Sequence, residues 1–181
     1  MRIIAGTLKG RRLEGPRGPG VRPTSDRLRE TLFNVLADRP DEARVLDAFA
    51  GTGAVGLEAL SRGATSVVFV ERDRRVISLL EDNIRACRVG NACVIIADDF
   101  LTFRARRPDL GSFDLVFADP PYEGVDLGAV VTVAASWVAS SGLVVLEHSR
   151  RHGSPEQAGG LTRRRVLPAG DSALSFYTPE A

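Results

Sequence analysis

Residues 112–122 read S-F-D-L-V-F-A-D-P-P-Y, and the last four bring together a carboxylate, two prolines and an aromatic ring. Phe113, Leu115, Val116, Phe117 and Ala118 form the nearly continuous apolar run of a parallel strand buried on both faces. Pro120 removes an N–H and both prolines fix φ, so the backbone after Asp119 is stiff and cannot extend the sheet ladder. A carboxylate, outward-turned carbonyls and the ring of Tyr122 are thereby held at a strand's C-terminal end, the edge where open α/β sheets bind ligands. Asp119 and the Pro120 carbonyl can accept hydrogen bonds while the ring offers a flat face. A plain proline turn would use the same four letters, so the chain upstream must decide.

Residues 44–50, R-V-L-D-A-F-A, have a buried-strand pattern and run into G-T-G-A-V-G-L-E-A-L, where Leu57 and Leu60 begin a helical stripe. Gly51, Gly53 and Gly56 satisfy G-x-G-x-x-G, a turn that lets backbone approach a ligand closely, and Glu71 lies twenty residues beyond Gly51 at the end of the next strand, 66–70. That spacing fits an acid that binds ribose hydroxyls. Asp73 caps a helix with Val76, Leu80, Ile84 and Cys87 on one face, and a third strand, 92–97, ends at Asp98, Asp99 and Phe100. A carboxylate there can accept from an adenine amino group while Phe100 packs on the ring; the ordinary alternative for either aspartate is a helix N-cap.

After Asp119 the pattern predicts a helix bearing Leu127, Val130, Val131, Ala134 and Val138, with Trp137 in the core. Gly142 opens a fifth strand that ends at Glu147 and His148, and 161–167 with 173–178 form an antiparallel hairpin around P-A-G-D-S. Five strands alternating with helices give a doubly wound parallel α/β sheet, and right-handed crossovers place Asp47, Glu71, Asp98, Asp119 and Glu147 along one edge.

At 181 residues, 44% hydrophobic and 26% charged, the chain fits one globular domain. Its net charge is only +1, yet residues 1–30 hold eight Lys/Arg against three Asp/Glu. Segments 2–5 and 11–13 read as a short basic hairpin, followed by a glycine and proline loop over 15–24, so Lys9, Arg11, Arg12 and Arg22 are candidates for contacting a polyanion. The division expected is a basic N-terminal region, 1–24, and a catalytic domain, 25–181. Thr24 or Ser25 caps a helix with stripe Leu28, Leu32 and Leu36, which leaves Arg27 and Arg29 off the stripe and available for phosphate or a ligand carboxylate. Cys87 and Cys93 lack metal-site spacing and suit reduced core thiols; no metal, no membrane span, no signal peptide and a cytoplasmic monomer are the expectation.

Asp119, Pro120, Pro121 and Tyr122 resemble the D/N-P-P-Y/F motif of methyltransferases that use S-adenosylmethionine (SAM) to modify exocyclic amino nitrogens of bases. The chemistry suits the residues: the amino lone pair is delocalised into the ring, acceptors on its hydrogens favour the pyramidal form that attacks, and the base must leave its stack to lie against an aromatic ring. Asp47 and Phe49 within D-x-F-x-G-x-G are similar to the glycine motif of such enzymes, where the acid helps hold the amino group of the methionine part. An NAD-dependent oxidoreductase also explains the glycines and Glu71, but leaves Asp119 and its neighbours without a role. An adenine-N6 or cytosine-N4 methyltransferase shares the four-residue motif, and a silent RNA-binding module would need only the basic hairpin.

The blocks R-I-I-A-G-x-x-K-G-R-R-L, R-P-T-x-D-R-x-R-E-T-L-F-N, A-G-x-G-A-x-G-L-E-A-L-S-R and D-P-P-Y occur here in that order, and by them the chain resembles the RsmD family of bacterial 16S ribosomal RNA guanine-N2 methyltransferases. The resemblance implies a seven-stranded SAM-dependent methyltransferase sheet with a small N-terminal β-hairpin, SAM as cofactor, and a guanine of small-subunit rRNA, within an assembled particle, as target. It also implies that the segment around Thr24 closes over the methionine end of SAM, and it supports the adenine contact of Asp98.

Overall fold

The computed structural model describes residues 1–15, 26–103 and 107–180. Helix α1 (Asp26–Leu36) precedes the alternating units β1 (Arg44–Ala48), α2 (Ala54–Ser61), β2 (Ser66–Glu71), α3 (Arg74–Cys87), β3 (Cys93–Ala97), β4 (Phe113–Ala118), α4 (Leu127–Ala135) and β5 (Val138–Ser149). Then come β6 (Gln157–Ala158), β7 (Leu161–Ala169) and β8 (Ser172–Pro179). The order across the sheet is β3-β2-β1-β4-β5-β8-β7-β6. Pairs from β3 through β5 are parallel, and β8, β7 and β6 add on antiparallel. The chain reverses between β1 and β4, the switch point at which α/β sheets open a ligand crevice.

The sheet is covered on both faces. Ile3, Leu13, Leu32, Leu57 and Leu80 pack with Val45, Val67 and Phe69 on one side. Val130, Val131, Phe103 and Trp137 pack with Leu46, Val68 and Val116 on the other. Trp137 is fully buried and stacks on Phe103 with ring centroids 4.7 Å apart, in keeping with its expected place in the core. Gly56 lets α2 lie against the sheet: a Cβ there would meet Phe69 Cε1 at 2.3 Å.

Four expectations need correction. Eight strands are present rather than seven, because Gln157 and Ala158 pair with Thr162 and Leu161 as a short edge strand. Helix α4 stops at Ala135, and Val138 already belongs to β5, where it pairs with Phe113; the apolar stripe continues past the point where the backbone turns into the sheet. The N-terminal hairpin is reduced to one antiparallel bridge, Arg2 with Arg12. Backbone bonds still join its two arms, from Ile3 N to the Arg11 carbonyl at 2.9 Å, Gly10 N to the Ile3 carbonyl at 2.9 Å and Leu13 N to the Met1 carbonyl at 3.1 Å. Side chains tie it to α2 and α3: Glu58 accepts from Ile4 N and Ala5 N at 2.7 and 3.0 Å, and Asn83 exchanges bonds with the backbone of Glu14 at 2.8 and 3.1 Å. Arg29 is fully buried, not available at the surface, and its guanidinium donates to the Arg2 carbonyl at 2.6 Å and to Asp26 at 2.9 Å. The expected cap at Thr24 or Ser25 lies outside the described residues. Among the described residues no helix is long and apolar enough to cross a membrane.

Candidate active site

A cavity of about 580 Å³ opens at the C-terminal ends of β1, β2, β3 and β4. Asp47, Phe49, Gly51, Glu71, Asp98, Asp99, Phe100, Asp119, Pro120, Pro121 and Tyr122 all line it. Gly53 does not line the cavity; at φ +76° it caps α2, and a Cβ there would meet Leu80 Cδ1 at 2.3 Å. Lys9, Arg11 and Arg12 are exposed, and Arg11 donates to the Ala86 carbonyl at the end of α3 at 2.7 Å. Arg22 and Thr24 lie outside the described residues.

Each wall residue is positioned by backbone. Asp47 is buried, and its Oδ2 accepts from Gly56 N, in the first turn of α2, at 2.9 Å. Burial pushes its carboxyl up to about 8; the Gly56 bond opposes that and the nearby Glu71 adds to it. Glu71 accepts from three main-chain amides, Gly51 at 3.0 Å, Arg72 at 2.8 Å and Asp73 at 2.9 Å, which ties the glycine turn to the end of β2. Phe49, between these segments, has φ +59°, a conformation costly for an aromatic residue and common where a site over-determines the backbone. Its ring lies 5.4 Å from that of Phe100.

Of the two roles foreseen for Asp98 and Asp99, the cap falls to Asp99. Asp99 accepts from Leu101 N at 2.9 Å, as a turn cap does, and pairs with Arg72 at 3.1 Å; Asp98 accepts from Asp99 N at 2.8 Å. The N–H of Asp119 reaches the Ala48 carbonyl at 3.4 Å, so the parallel ladder holds Asp119 up to the residue before the prolines. Tyr122 is half-exposed, and its hydroxyl donates to Glu147 at 3.1 Å and lies 2.6 Å from Ser172 Oγ. Burial pushes the phenol up to about 12; the Ser172 bond opposes this, and the charges of Glu147 and Asp119 add to it.

Sequence reasoning missed Thr52, Arg72 and Glu123 in the wall and Ser172 behind it. Arg72 has a signal, the position after a strand-end acid; Ser172 has none. His148, to which no role was given, is buried. Its Nδ1 lies 2.9 Å from the carbonyls of Ser149 and His152 and its Nε2 2.9 Å from Ser175 Oγ, so it pins a loop.

The family described as "Conserved hypothetical protein 95" matches residues 1–178. Ribosomal RNA small subunit methyltransferase D of Escherichia coli is 38% identical over 183 residues, covering 100% of this chain and 91% of its own length. The chain belongs to the RsmD family. A second relative, named "Putative rRNA methyltransferase YlbH", of Bacillus subtilis, is 34% identical over 98% of both chains. The solved structure of yhhF from Escherichia coli superposes with a TM-score of 0.85 at 36% identity, covering 100% of this chain and 98% of that one. Membership in the RsmD family agrees with the methyltransferase fold expected from the sequence, apart from the strand count.

Proposed function

We propose that the chain transfers a methyl group from SAM to the exocyclic N2 of a guanine in 16S rRNA, acting as a cytoplasmic monomer on a small-subunit particle with the base flipped onto Tyr122. One observation carries this reading: the acidic wall and the corner formed by Asp119, Pro120, Pro121 and Tyr122 open into the same cavity. The names of the relatives support rRNA as the substrate class.

The residues present fit SAM better than NAD. Six acidic side chains and one guanidinium line the cavity, which favours a ligand bearing ammonium and sulfonium charges over a pyrophosphate. One amide of the helix N-terminus that would hold a pyrophosphate, Gly56 N, is already taken by the Asp47 carboxyl. Glu71 and the Gly51 turn would hold the ribose, Asp98, Phe49 and Phe100 the adenine, and Asp47 the ammonium group; Thr24 joins the last on the family resemblance alone. When bound, SAM supplies an electrophilic methyl group.

The chain's own part is positioning. Asp119 and the Pro120 carbonyl accept the two amino hydrogens, so the nitrogen lone pair turns away from the ring and toward the cofactor side of the cavity. Tyr122 stacks on the flipped base. No covalent intermediate with the protein is required. Methyl transfer from labelled SAM to small subunits, naked rRNA and DNA, followed by nucleoside analysis, tests the reading: N2-methylguanosine from small subunits is expected, and N6-methyladenosine would refute the base assignment.

Asp47 gives the cofactor assignment a pH signature. Its raised pKa keeps it protonated between the ordinary carboxylate value of 3.8 and about 8, whereas the unfolded chain ionises there. Its contribution to stability therefore falls as pH rises through that window. An ammonium group beside it favours the ionised form, so S-adenosylhomocysteine (SAH) should release a proton on binding at neutral pH. Calorimetry in buffers of different ionisation enthalpy should show this release, and Asp47→Asn should abolish it. Heats independent of buffer would place the ammonium elsewhere.

Neutralising Arg11 and Arg12 should weaken RNA binding and flatten the slope of log affinity against log salt by about 2, with SAH affinity unchanged, because each phosphate contact releases condensed counterions. An unaltered slope would make these arginines a solvated surface.

A further inference from the structure

Of the acids at the five strand ends, Glu147 is the one absent from the cavity wall. It is 4% exposed at the end of β5 and faces Tyr122 instead. Ser172, 5% exposed, is the first residue of β8, and pairing with Ser149 fixes its position at the same edge. The phenol has one proton, which it donates to Glu147 at 3.1 Å; the 2.6 Å contact with Ser172 is then made by the serine hydroxyl donating to the phenol oxygen. Two bonds from two adjacent antiparallel strands thus meet at one atom of a ring that is 39% exposed. Without them a half-exposed tyrosine samples several rotamers, and a base stacking on it must first bear the cost of ordering the ring.

We infer that Glu147 and Ser172 are positioning residues that hold the ring of Tyr122 ready for the incoming base, so that the C-terminal strand β8 takes part in base capture. This rests on the methyltransferase reading given above. The hydroxyl serves as an anchor to the protein rather than a contact to substrate. Tyr122→Phe therefore loses the anchor but keeps the stacking face, and Tyr122→Ala loses both.

Tyrosine labelled at ¹³Cζ reports the anchor without cofactor or RNA, since the chain has only two tyrosines. Ser172→Ala should move the Tyr122 resonance and leave that of Tyr177 in place; an unmoved Tyr122 resonance overturns the inference. With small subunits below saturation, Glu147→Ala should lower kcat/KM about tenfold or more, the size of one hydrogen bond to a charged group, and Ser172→Ala about fivefold, that of a neutral one, each with SAH affinity unchanged. Glu147→Gln, which keeps an acceptor, should recover most of the loss. In a Tyr122→Phe background neither alanine substitution should add a further loss, because the atom they hold is gone. Fully additive losses would assign both residues to strand stability and overturn the inference. A resonance that shifts as expected in a protein without any transfer activity would leave the anchor standing and remove the methyltransferase reading.

Discussion

Asp119→Ala should lower methyl transfer by about 10²- to 10³-fold while SAH binds as before, the range lost when a single preorganised polar group is removed from other active sites. Truncation leaves the backbone in place: the Asp119 N–H stays against the Ala48 carbonyl, and Pro120 and Pro121 still fix the turn. What disappears is one of two acceptors for the amino hydrogens, which leaves the nitrogen free to stay conjugated with its ring. Asp119→Asn should fall between, since an amide oxygen still accepts one hydrogen. Single-turnover transfer to unmethylated small subunits separates this loss from slow product release. If alanine retained activity within about tenfold, the Pro120 carbonyl would be sufficient and the carboxylate would have another purpose.

Glu71→Ala should weaken SAH binding by roughly 1 to 3 kcal/mol, or more where the turn itself relaxes. The carboxylate accepts from the amides of Gly51, Arg72 and Asp73, so its removal unties the glycine turn as well as deleting an acceptor for the ribose. That arrangement makes a sharper expectation possible for Glu71→Gln. Its oxygen can still serve Arg72 and Asp73, but its NH₂ would face the Gly51 N–H, donor against donor, so glutamine should not rescue binding. Asp99→Ala should cost far less, because its pair with Arg72 is open to solvent. Calorimetric titration with SAH resolves the three variants; affinity unchanged in Glu71→Ala would remove the ribose from this wall.

The parts of the fold legible in the sequence were those set by local periodicity. Strand β4 runs over the predicted residues 113–118, and the acids at the strand ends converge because parallel crossovers oblige them to. The start of β5 was illegible because Trp137 and Val138 extend the apolar helical pattern, while the residue that draws Val138 into the sheet is Phe113, far back in the chain. The burial of Arg29 was equally hidden: an arginine enters a core only where acceptors are supplied, and one of them is the carbonyl of Arg2. In the cavity wall, Glu71 was legible by its spacing and Asp47 by its place in D-x-F-x-G-x-G, yet the backbone amides they hold became visible only in three dimensions. Gly53 fitted the glycine pattern but packs on Leu80. Ser172 sits in a turn sequence with nothing to mark it, because its partner is fifty positions away.

The separation between Ser172 and the cavity wall also has a meaning for the chain as it is made. Every residue of the wall lies between Asp47 and Glu123, whereas β8 ends at Pro179 and is inserted between β5 and β7. Synthesis runs from the amino terminus, so all the side chains for the cofactor have been polymerised well before the strand that carries Ser172. An interrupted chain lacking that strand would carry every residue of the cofactor wall yet leave Tyr122 with Glu147 alone and β5 with a bare edge. On the proposed reading, the support of the base-stacking ring is thus encoded later in the chain than the cofactor wall.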